Sequence, residues 1–272
     1  FDRKSDNSRS WYNPAMIEVT TTGEDSSVTL KNIILDDAGK HMGTIFTQAS
    51  SAEGHGDNTQ CVQDAIVAAY GLSENSARII LGEGAVLRNY GGMSAVRVTN
   101  GASLEMEAGS VIEDTTVKDR TRGDTGSNGP VGAVWVQGTD MVMDSGAEIQ
   151  KVVGCAVLVE GGTAELNGTI HDIKADADMW QGVKGIALHL RGGSVATVGG
   201  EICDISSNDS NSVVIYGENC SFALEKDAII QNCSGTGNSG YGGIIYASVI
   251  GDSYTFELYG TITECYAVGS LL

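Results

Sequence analysis

The chain repeats one short unit along most of its length. Between Arg78 and Asp114, a short apolar strand, a Gly turn, a second apolar strand and an Asn or Asp occur in this order twice. We call the last apolar residue of each unit the anchor residue. The anchor residues are Leu87, Ile112, Ile149, Ile170, Ile202, Ile230 and Ile262, at spacings of 21 to 37 positions. Such irregular spacing is typical of a solenoid whose strands are constant while one loop varies in length.

A third apolar strand follows most of the anchor residues. Its copies are Ala133–Val136, Ala156–Val159, Ile186–Leu190, Val213–Tyr216 and Ile244–Tyr246. Three short strands with Gly-rich corners describe one coil of a parallel β-helix, which buries its inward side chains only when coils stack. We therefore predict an all-β, single-stranded, right-handed parallel β-helix of about eight coils with the anchor residues in one interior column. The 37 Gly residues are expected mainly at corners, where glycine adopts positive φ without steric cost.

With these repeats, the chain resembles the right-handed, pectate-lyase-like parallel β-helices of bacterial cell-surface and secreted proteins. The resemblance extends from about Val28 to Leu272. It implies the fold and an extracellular or cell-surface location. That fold hosts lyases, hydrolases, adhesins and inert stalks, so the function has to be argued from particular residues.

The sequence before the repeats suggests how the chain is organised. Residues 1–16 form a polar lead-in, and residues 17–272 form the β-helix domain. Apolar residues at helical spacing predict one short helix near residues 59–70, covering an end or a flank of the solenoid. The chain begins and stops within its own pattern, so we expect it to be a fragment of a larger protein whose further domains are its partners.

Charge and cysteine content narrow the classes of partner. The net charge of −19 and pI of about 4.4 argue against nucleic acid and anionic membrane surfaces. No run of 18 apolar residues occurs, so membrane insertion is not expected. The six Cys residues show no zinc-ligand spacing. Cys233 and Cys265 each follow an anchor residue by three positions and should be neighbours, either as stacked buried thiols or as a disulfide.

The position two residues after the anchor is polar or charged in every unit. Its occupants are Asn89, Asp114, Lys151, Asp172, Asp204, Asn232 and Glu264. Asn and Asp tolerate left-handed backbone at a corner and can form hydrogen-bonded ladders along a stack. Asp172 and Asp204 belong to successive units, so they should be neighbours in the stack. Their carboxylates should repel unless they share a proton, bind a cation or face water. Carboxyl groups about 5 Å apart also match retaining glycosidases. The two are therefore the catalytic candidates if the chain is an enzyme.

The variable loops carry the other candidate residues. Loop 173–185 contains Asp176, Asp178 and Trp180, and His171 lies just before it. This combination predicts a sugar-binding site, with Asp176 and Asp178 as weak candidates for Ca²⁺ ligands, since hard cations take oxygen ligands. Loop 115–132 adds Asp119 and Asp124 as ligand-binding candidates. No other cofactor is expected.

Three functions remain open. The leading interpretation is an adhesin-like extracellular bacterial domain that contacts glycans or a host ligand through loops on one side of the solenoid. The loops in question are 115–132, 173–185, 205–212 and 233–243. The alternatives are a glycoside hydrolase using Asp172 and Asp204, and a structural spacer. The order Asp36-Asp37 and Gly54-His55-Gly56 matches two elements of polygalacturonases, but their N-T-D and R-x-K elements are missing, which favours binding over catalysis.

Overall fold

The computed structural model describes residues 16–20, 25–38, 65–70, 76–92, 94–99, 101–117, 132–175, 184–207, 213–235, 243–248 and 254–267. Within these ranges the chain forms 26 strands and no helix. The same described ranges contain no helical segment with the length and hydropathy needed to cross a bilayer.

The strands are short and follow one another closely. In chain order they are β1 (Ile17–Thr20), β2 (Ser26–Leu30), β3 (Ile34–Asp36), β4 (Val67–Tyr70), β5 (Ala77–Leu81), β6 (Val86–Arg88), β7 (Val96–Thr99), β8 (Ser103–Met106), β9 (Val111–Thr116), β10 (Val134–Gln137), β11 (Asp140–Met143), β12 (Glu148–Val153) and β13 (Val157–Glu160). They continue with β14 (Thr163–Leu166), β15 (Thr169–Ala175), β16 (Gly185–Arg191), β17 (Val195–Val198), β18 (Glu201–Ser207), β19 (Val213–Glu218), β20 (Ser221–Leu224), β21 (Ile229–Gln231), β22 (Ser234–Gly235), β23 (Ile245–Ser248), β24 (Phe256–Leu258), β25 (Thr261–Thr263) and β26 (Tyr266–Ala267).

Three parallel sheets run along the length of the molecule. Sheet A has the order β1-β4-β7-β10-β13-β16-β19-β23, and sheet B has the order β2-β5-β8-β11-β14-β17-β20-β24. Sheet C has the order β3-β6-β9-β12-β15-β18-β21-β25, and the short strands β22 and β26 extend its last coils. Each coil contributes one strand to each sheet in turn, which gives eight coils. The prediction of an all-β parallel β-helix of about eight coils is confirmed.

The anchor residues form the predicted interior column. Ile112 pairs with Ile149, Ile149 with Ile170, and Ile170 with Ile202 on neighbouring strands of sheet C. All of these side chains are at most 1% exposed. Burying an aliphatic side chain of this size stabilises a fold by roughly 1.5–3 kcal/mol, so a column of them accounts for much of the cohesion between coils.

Sheet C strands bend at the residue two positions after the anchor. In β9, Ile112 is buried, Glu113 and Asp114 both face outward, and Thr115 is buried again, so the strict alternation of a strand is interrupted. Asp114 has φ of 50°, in the left-handed region. The same region is occupied by Asn89, Lys151, Asp172, Asp204, Asn232 and Glu264, with φ between 50° and 57°. The predicted left-handed corner therefore exists in seven consecutive coils.

Glycine serves the turns between sheets B and C in two different ways. Gly109 and Gly146 have φ of 80° and 86°, as expected for a turn that needs positive φ. At the equivalent turn of later coils, glycine is needed because there is no room for a side chain. A Cβ on Gly168 would lie 2.3 Å from Ala147 O, and a Cβ on Gly200 would lie 2.0 Å from Gly168 O. In these coils any side chain would collide with the backbone of the coil before.

The predicted helix near residues 59–70 is wrong where the structure describes it. Val67–Tyr70 is strand β4, paired on one side with β1 and on the other with β7. Both faces of β4 are covered, since Val67, Ala68 and Ala69 are at most 1% exposed. A strand buried on both faces is a continuous apolar run, which matches helical spacing by chance. Residues 59–64 lie outside the described ranges, as do residues 1–15 of the predicted lead-in.

Sheet A is buried on its outer face as well as its inner one. In β10, Val134, Trp135 and Val136 are each at most 3% exposed. The outward side chain, Trp135, lies in register with Arg97 of β7, whose guanidinium carbon is 4.2 Å from the centre of the Trp135 ring. A covered outer face explains why these strands are apolar throughout.

Candidate functional site

An open groove of about 660 Å³ runs along the outside of the bend in sheet C. We call it the bend groove. Its lining residues are Ala38, Asn89, Asp114, Thr116, Lys151, Val152, Val153, Asp172 and Lys174. Most of them come from two columns of the stack, the left-handed residue of each coil and the residue two positions after it.

The coil geometry places these side chains at regular intervals. Val153 of β12 is in register with Thr116 of β9 on one side and with Lys174 of β15 on the other. Neighbouring strands lie about 4.8 Å apart. Equivalent positions in successive coils therefore present their side chains to the groove at that interval.

The floor of the bend groove carries balanced charge, although the whole chain has a net charge of −19. Asp114 and Asp172 contribute two carboxylates, and Lys151 and Lys174 contribute two ammonium groups. Lys151 Nζ is 3.5 Å from Glu113 Oε2, and the Lys151 side chain is 51% exposed. An exposed ion pair of this kind is worth little, so the Lys151 ammonium group can contact a ligand at small cost.

Asp172 is accompanied by a histidine of its own strand. His171 Nδ1 lies 2.9 Å from Asp172 Oδ2, and His171 Nε2 lies 3.8 Å from Glu148 Oε2 in the preceding coil. With its proton on Nδ1, the imidazole donates a hydrogen bond to the carboxylate. The Asp172 side chain remains 54% exposed. The structure therefore brings together two of the predicted site residues, His171 and Asp172, at one edge of the bend groove.

Asp204 occupies the next position in the column and has a different partner. His171 pairs with Cys203 and Ile173 with Ile205, which places Asp204 beside Asp172 in the stack. Oδ1 of Asp204 accepts a hydrogen bond from Nδ2 of Asn232 in the following coil. Asp172 lines the bend groove and Asp204 does not. The pairing of these two acids as a catalytic dyad stays a prediction.

The loops that hold the other candidate residues all connect sheet C to sheet A. β9 is followed by β10, β15 by β16, β18 by β19 and β22 by β23. The prediction that the long loops leave from a single corner is confirmed by these connections. Asp119, Asp124, Asp176, Asp178 and Trp180 lie outside the described residues. In the described part of the chain, no group of three or more His, Cys, Asp and Glu side chains is arranged to hold a metal ion.

Sequence reasoning missed the role of three groove residues. Thr116, Val153 and Lys174 are not among the candidate residues predicted from the sequence. Each follows its anchor residue by four positions, so the offset that identified the left-handed column also identifies this one. Lys151 is predicted from the sequence only as an occupant of the left-handed column, and the structure shows that it also lines the groove.

A second open groove, of about 590 Å³, lies near the corner between sheets A and B. It is lined by Arg191, Gly192, Gly193, Glu218, Asn219 and Tyr254. Arg191 donates from Nη2 to Glu160 Oε1 at 2.5 Å, so its charge is already paired within the sheet. This groove therefore offers less unpaired charge than the bend groove.

Comparison with known proteins adds no family to this description. No family model matches the chain, and searches of the curated proteins and of the solved structures find no match.

Proposed function

We propose that this chain is an extracellular or cell-surface bacterial domain that binds glycans, with the bend groove as its binding surface. The proposal includes the pectate-lyase-like plan of the solenoid and the loops at the corner between sheets C and A as additional contacts. The observation that supports it is the open, polar, charge-balanced groove along the left-handed column.

The chemistry of the groove floor suits a sugar. Carbohydrates present hydroxyl groups that both donate and accept hydrogen bonds, with apolar C–H patches between them. The floor provides carboxylates at Asp114 and Asp172, an ammonium group at Lys151 and an amide at Asn89, with the apolar Val153 beside them. Charged partners make the stronger hydrogen bonds. Because these polar groups are largely open to water, a ligand can reach them by displacing solvent.

The shape of the groove favours an extended ligand. It follows the axis of the stack across five consecutive coils, from Ala38 in the first coil to Asp172 in the fifth. A polar group therefore recurs at the same position of each coil along the groove, which suits a ligand made of repeated units. The rigid stack holds them in place, so a ligand pays little to order the site.

The connections of the coils supply a second argument. Loops positioned by a rigid scaffold are common sites of recognition. β9 ends at Thr116 and β15 ends at Ala175, so most of the predicted loops 115–132 and 173–185 comes after strands that line the groove. The candidate ligand residues Asp119, Asp176 and Trp180 belong to these two loops.

The second candidate function is glycoside hydrolysis. It rests on Asp172, which lies in the bend groove with His171 at 2.9 Å, and on Asp204 as its neighbour in the column. The separate hydrogen bond between Asp204 and Asn232 and the absence of Asp204 from the groove lining favour binding. We therefore place hydrolysis second.

A glycan array tests the binding proposal. The chain should bind a restricted set of glycans, and Lys151→Ala or Asp114→Asn should weaken binding by at least tenfold. Lys226→Ala is the matched control, because Lys226 is an exposed lysine in the turn between β20 and β21 and does not line the groove. Absence of any glycan bound would support the spacer interpretation instead.

Hydrolysis is tested separately with a panel of aryl glycosides and oligosaccharides. Activity that is lost in both Asp172→Asn and Asp204→Asn would favour the enzyme. Activity that survives in Asp204→Asn would exclude the paired-carboxylate mechanism.

A further inference from the structure

The last two coils that the structure describes bring two thiols side by side. Cys233 and Cys265 each follow an anchor residue by three positions. On one side of them Gln231 is in register with Thr263, and on the other Ser234 is in register with Tyr266. Strands in register lie about 4.8 Å apart. That separation falls within the Cα–Cα range of about 4.4–6.8 Å that a disulfide spans.

The two thiols also point in the same direction. Cys233 Sγ donates to Gln231 O at 3.1 Å, and Cys265 Sγ donates to Thr263 O at 3.1 Å. The two thiols also lie at similar distances from the coil before them: Cys233 Sγ is 3.8 Å from Ile202 O, and Cys265 Sγ is 3.7 Å from Ile230 O. Burial raises the pKa of the Cys233 thiol, and the adjacent Cys265 thiol raises it further through its charge and through a hydrogen bond. The thiols of Cys233 and Cys265 are therefore neighbours.

The column formed by the residues three positions after each anchor changes its composition at these two coils. In earlier coils the same position holds Thr115, Val152, Ile173 and Ile205, all buried. Cys233 is 1% exposed, whereas Cys265 is only half-buried. Cys265 is therefore open to a small reagent, and Cys233 is its neighbour in the coil before.

Among the described residues, the coil that holds Cys265 is less well packed than the coil that holds Cys233. Ile230 and Phe222 are at most 1% exposed, but their partners in the last coil, Ile262 and Phe256, are only partly buried. In a solenoid each coil is stabilised by its neighbours. The coil of Cys265 therefore has less apolar contact to lose on opening than the coil of Cys233, and a covalent bond between Cys233 and Cys265 would oppose that opening.

We propose that Cys233 and Cys265 are a thiol pair that low-molecular-weight disulfides oxidise, joining the last coil covalently to the coil before it. The Cys265 thiolate attacks one sulfur of the small disulfide and releases one thiol. The Cys233 thiolate then attacks the Cys265 sulfur of this mixed disulfide and releases the second thiol. The protein loses two protons and two electrons, and the small disulfide is reduced to two thiols.

The test uses the full 272-residue chain incubated with oxidised glutathione. We expect the intact mass to fall by two hydrogen atoms and non-reducing peptide mapping to find a Cys233–Cys265 link. Hydrogen exchange of the backbone amides in Thr261–Thr263 should slow by at least tenfold on oxidation. Cys155→Ala, which removes a fully buried thiol from another column, should behave like the parent chain.

Cys265→Ser keeps the size of a half-buried side chain and removes the pair. It should show neither the loss of two hydrogen atoms nor the slower exchange. Thiols that stay reduced, a stable glutathione adduct on Cys265, or a disulfide that joins either residue to a different cysteine would each overturn the proposal. If Cys155→Ala fails to fold, Cys220→Ser serves as the control, because Cys220 is also buried outside this column.

Discussion

Asn89 donates a hydrogen bond of 2.9 Å from its side-chain nitrogen Nδ2 to Oδ1 of Asp36 in the preceding coil. The amide of Asn89, the backbone N–H of Ala38 and the Arg88 side chain together hold the pKa of Asp36 below its usual value. Asn89 also has φ of 57°, so one residue forms the corner and links two coils. Asn232 likewise donates to an acid of the preceding coil, Asp204, but this acid occupies the left-handed column, whereas Asp36 does not.

Substitution of Asn89 separates these two roles. Asn89→Gly keeps the left-handed backbone and removes the hydrogen bond, so we expect a small loss of stability. Asn89→Asp places a second carboxylate against Asp36, and we expect a larger loss at pH 7 that shrinks as pH falls below about 4, where carboxyl groups protonate. Urea denaturation at both pH values measures the difference. An equal loss for Asn89→Asp at both pH values would contradict this explanation.

Lys151 adopts a left-handed conformation that its side chain does not favour, with φ of 52°. For most residues that conformation costs roughly 1–2 kcal/mol, whereas Asn tolerates it. We therefore expect Lys151→Asn to raise the free energy of unfolding by up to about 1 kcal/mol, measured by urea denaturation. Lys174→Asn, at an extended position in the same groove, should give no gain. If Lys151 also contacts a glycan, Lys151→Asn will bind more weakly while being more stable, and a decrease in stability would refute the strain argument.

Ile170 tests the interior column. It is 1% exposed and lies between Ile149 and Ile202. Because the rigid coils cannot close around a cavity, Ile170→Ala should lower the free energy of unfolding by about 2–5 kcal/mol, and Ile170→Val by about 0.5–1.5 kcal/mol. Thermal and urea denaturation provide the measurement. Ile262→Ala, in the partly exposed last coil, should cost clearly less, and an equal cost at both positions would argue against one continuous core.

His189 makes the stability of the fold depend on pH. Burial lowers its pKa to about 3, with Arg191 and Lys184 adding to the effect, and its ring packs edge-on against Tyr216 at 5.0 Å. The folded state therefore holds the neutral ring, whereas the unfolded chain takes up a proton below about 6.5. The contribution of His189 is fully present above pH 6.5 and is lost as pH falls from there toward 3.

The matching variant is His189→Gln, which does not titrate. The difference in melting temperature between the parent chain and this variant, measured at pH 7.5, gives the cost of repacking, since the ring is neutral in both states at that pH. As pH falls from 6.5 to 4, the parent chain should lose stability more steeply than His189→Gln. Parallel pH profiles would show that His189 does not remain neutral in the folded state.

Much of the fold could be predicted because the repeat is local. Ile112 and Ile149 are 37 residues apart, yet each occupies the same place in its unit. The assumption that units stack in register is therefore enough to predict that they are neighbours. The strand at Val67–Tyr70 could not be recognised in this way. This segment is a strand because it pairs with β1 on one side and with β7 on the other. A short apolar run in the sequence does not show which segments will pair with it, so it fits a helix or a strand equally well.

The candidate site was predictable in part for a related reason. The position of Asp172 and Asp204 in one column followed from their shared offset after the anchor, and the structure shows that column. The hydrogen-bond partners of Asp172 and Asp204 could not be predicted from that offset. His171 approaches Asp172 from the same strand, whereas Asn232 approaches Asp204 from the next coil, and this choice depends on side-chain directions around each bend.

The sequence by itself determined that the chain coils, how many coils it makes and which side chains face the interior, because each coil repeats the same local pattern of apolar residues and turns. Only the tertiary structure decided where a groove opens. The groove exists because the left-handed residue turns each sheet C strand outward, and stacking then aligns Asp114, Lys151 and Asp172 from three separate coils. A concave surface is a property of several coils together, and no single repeat contains it.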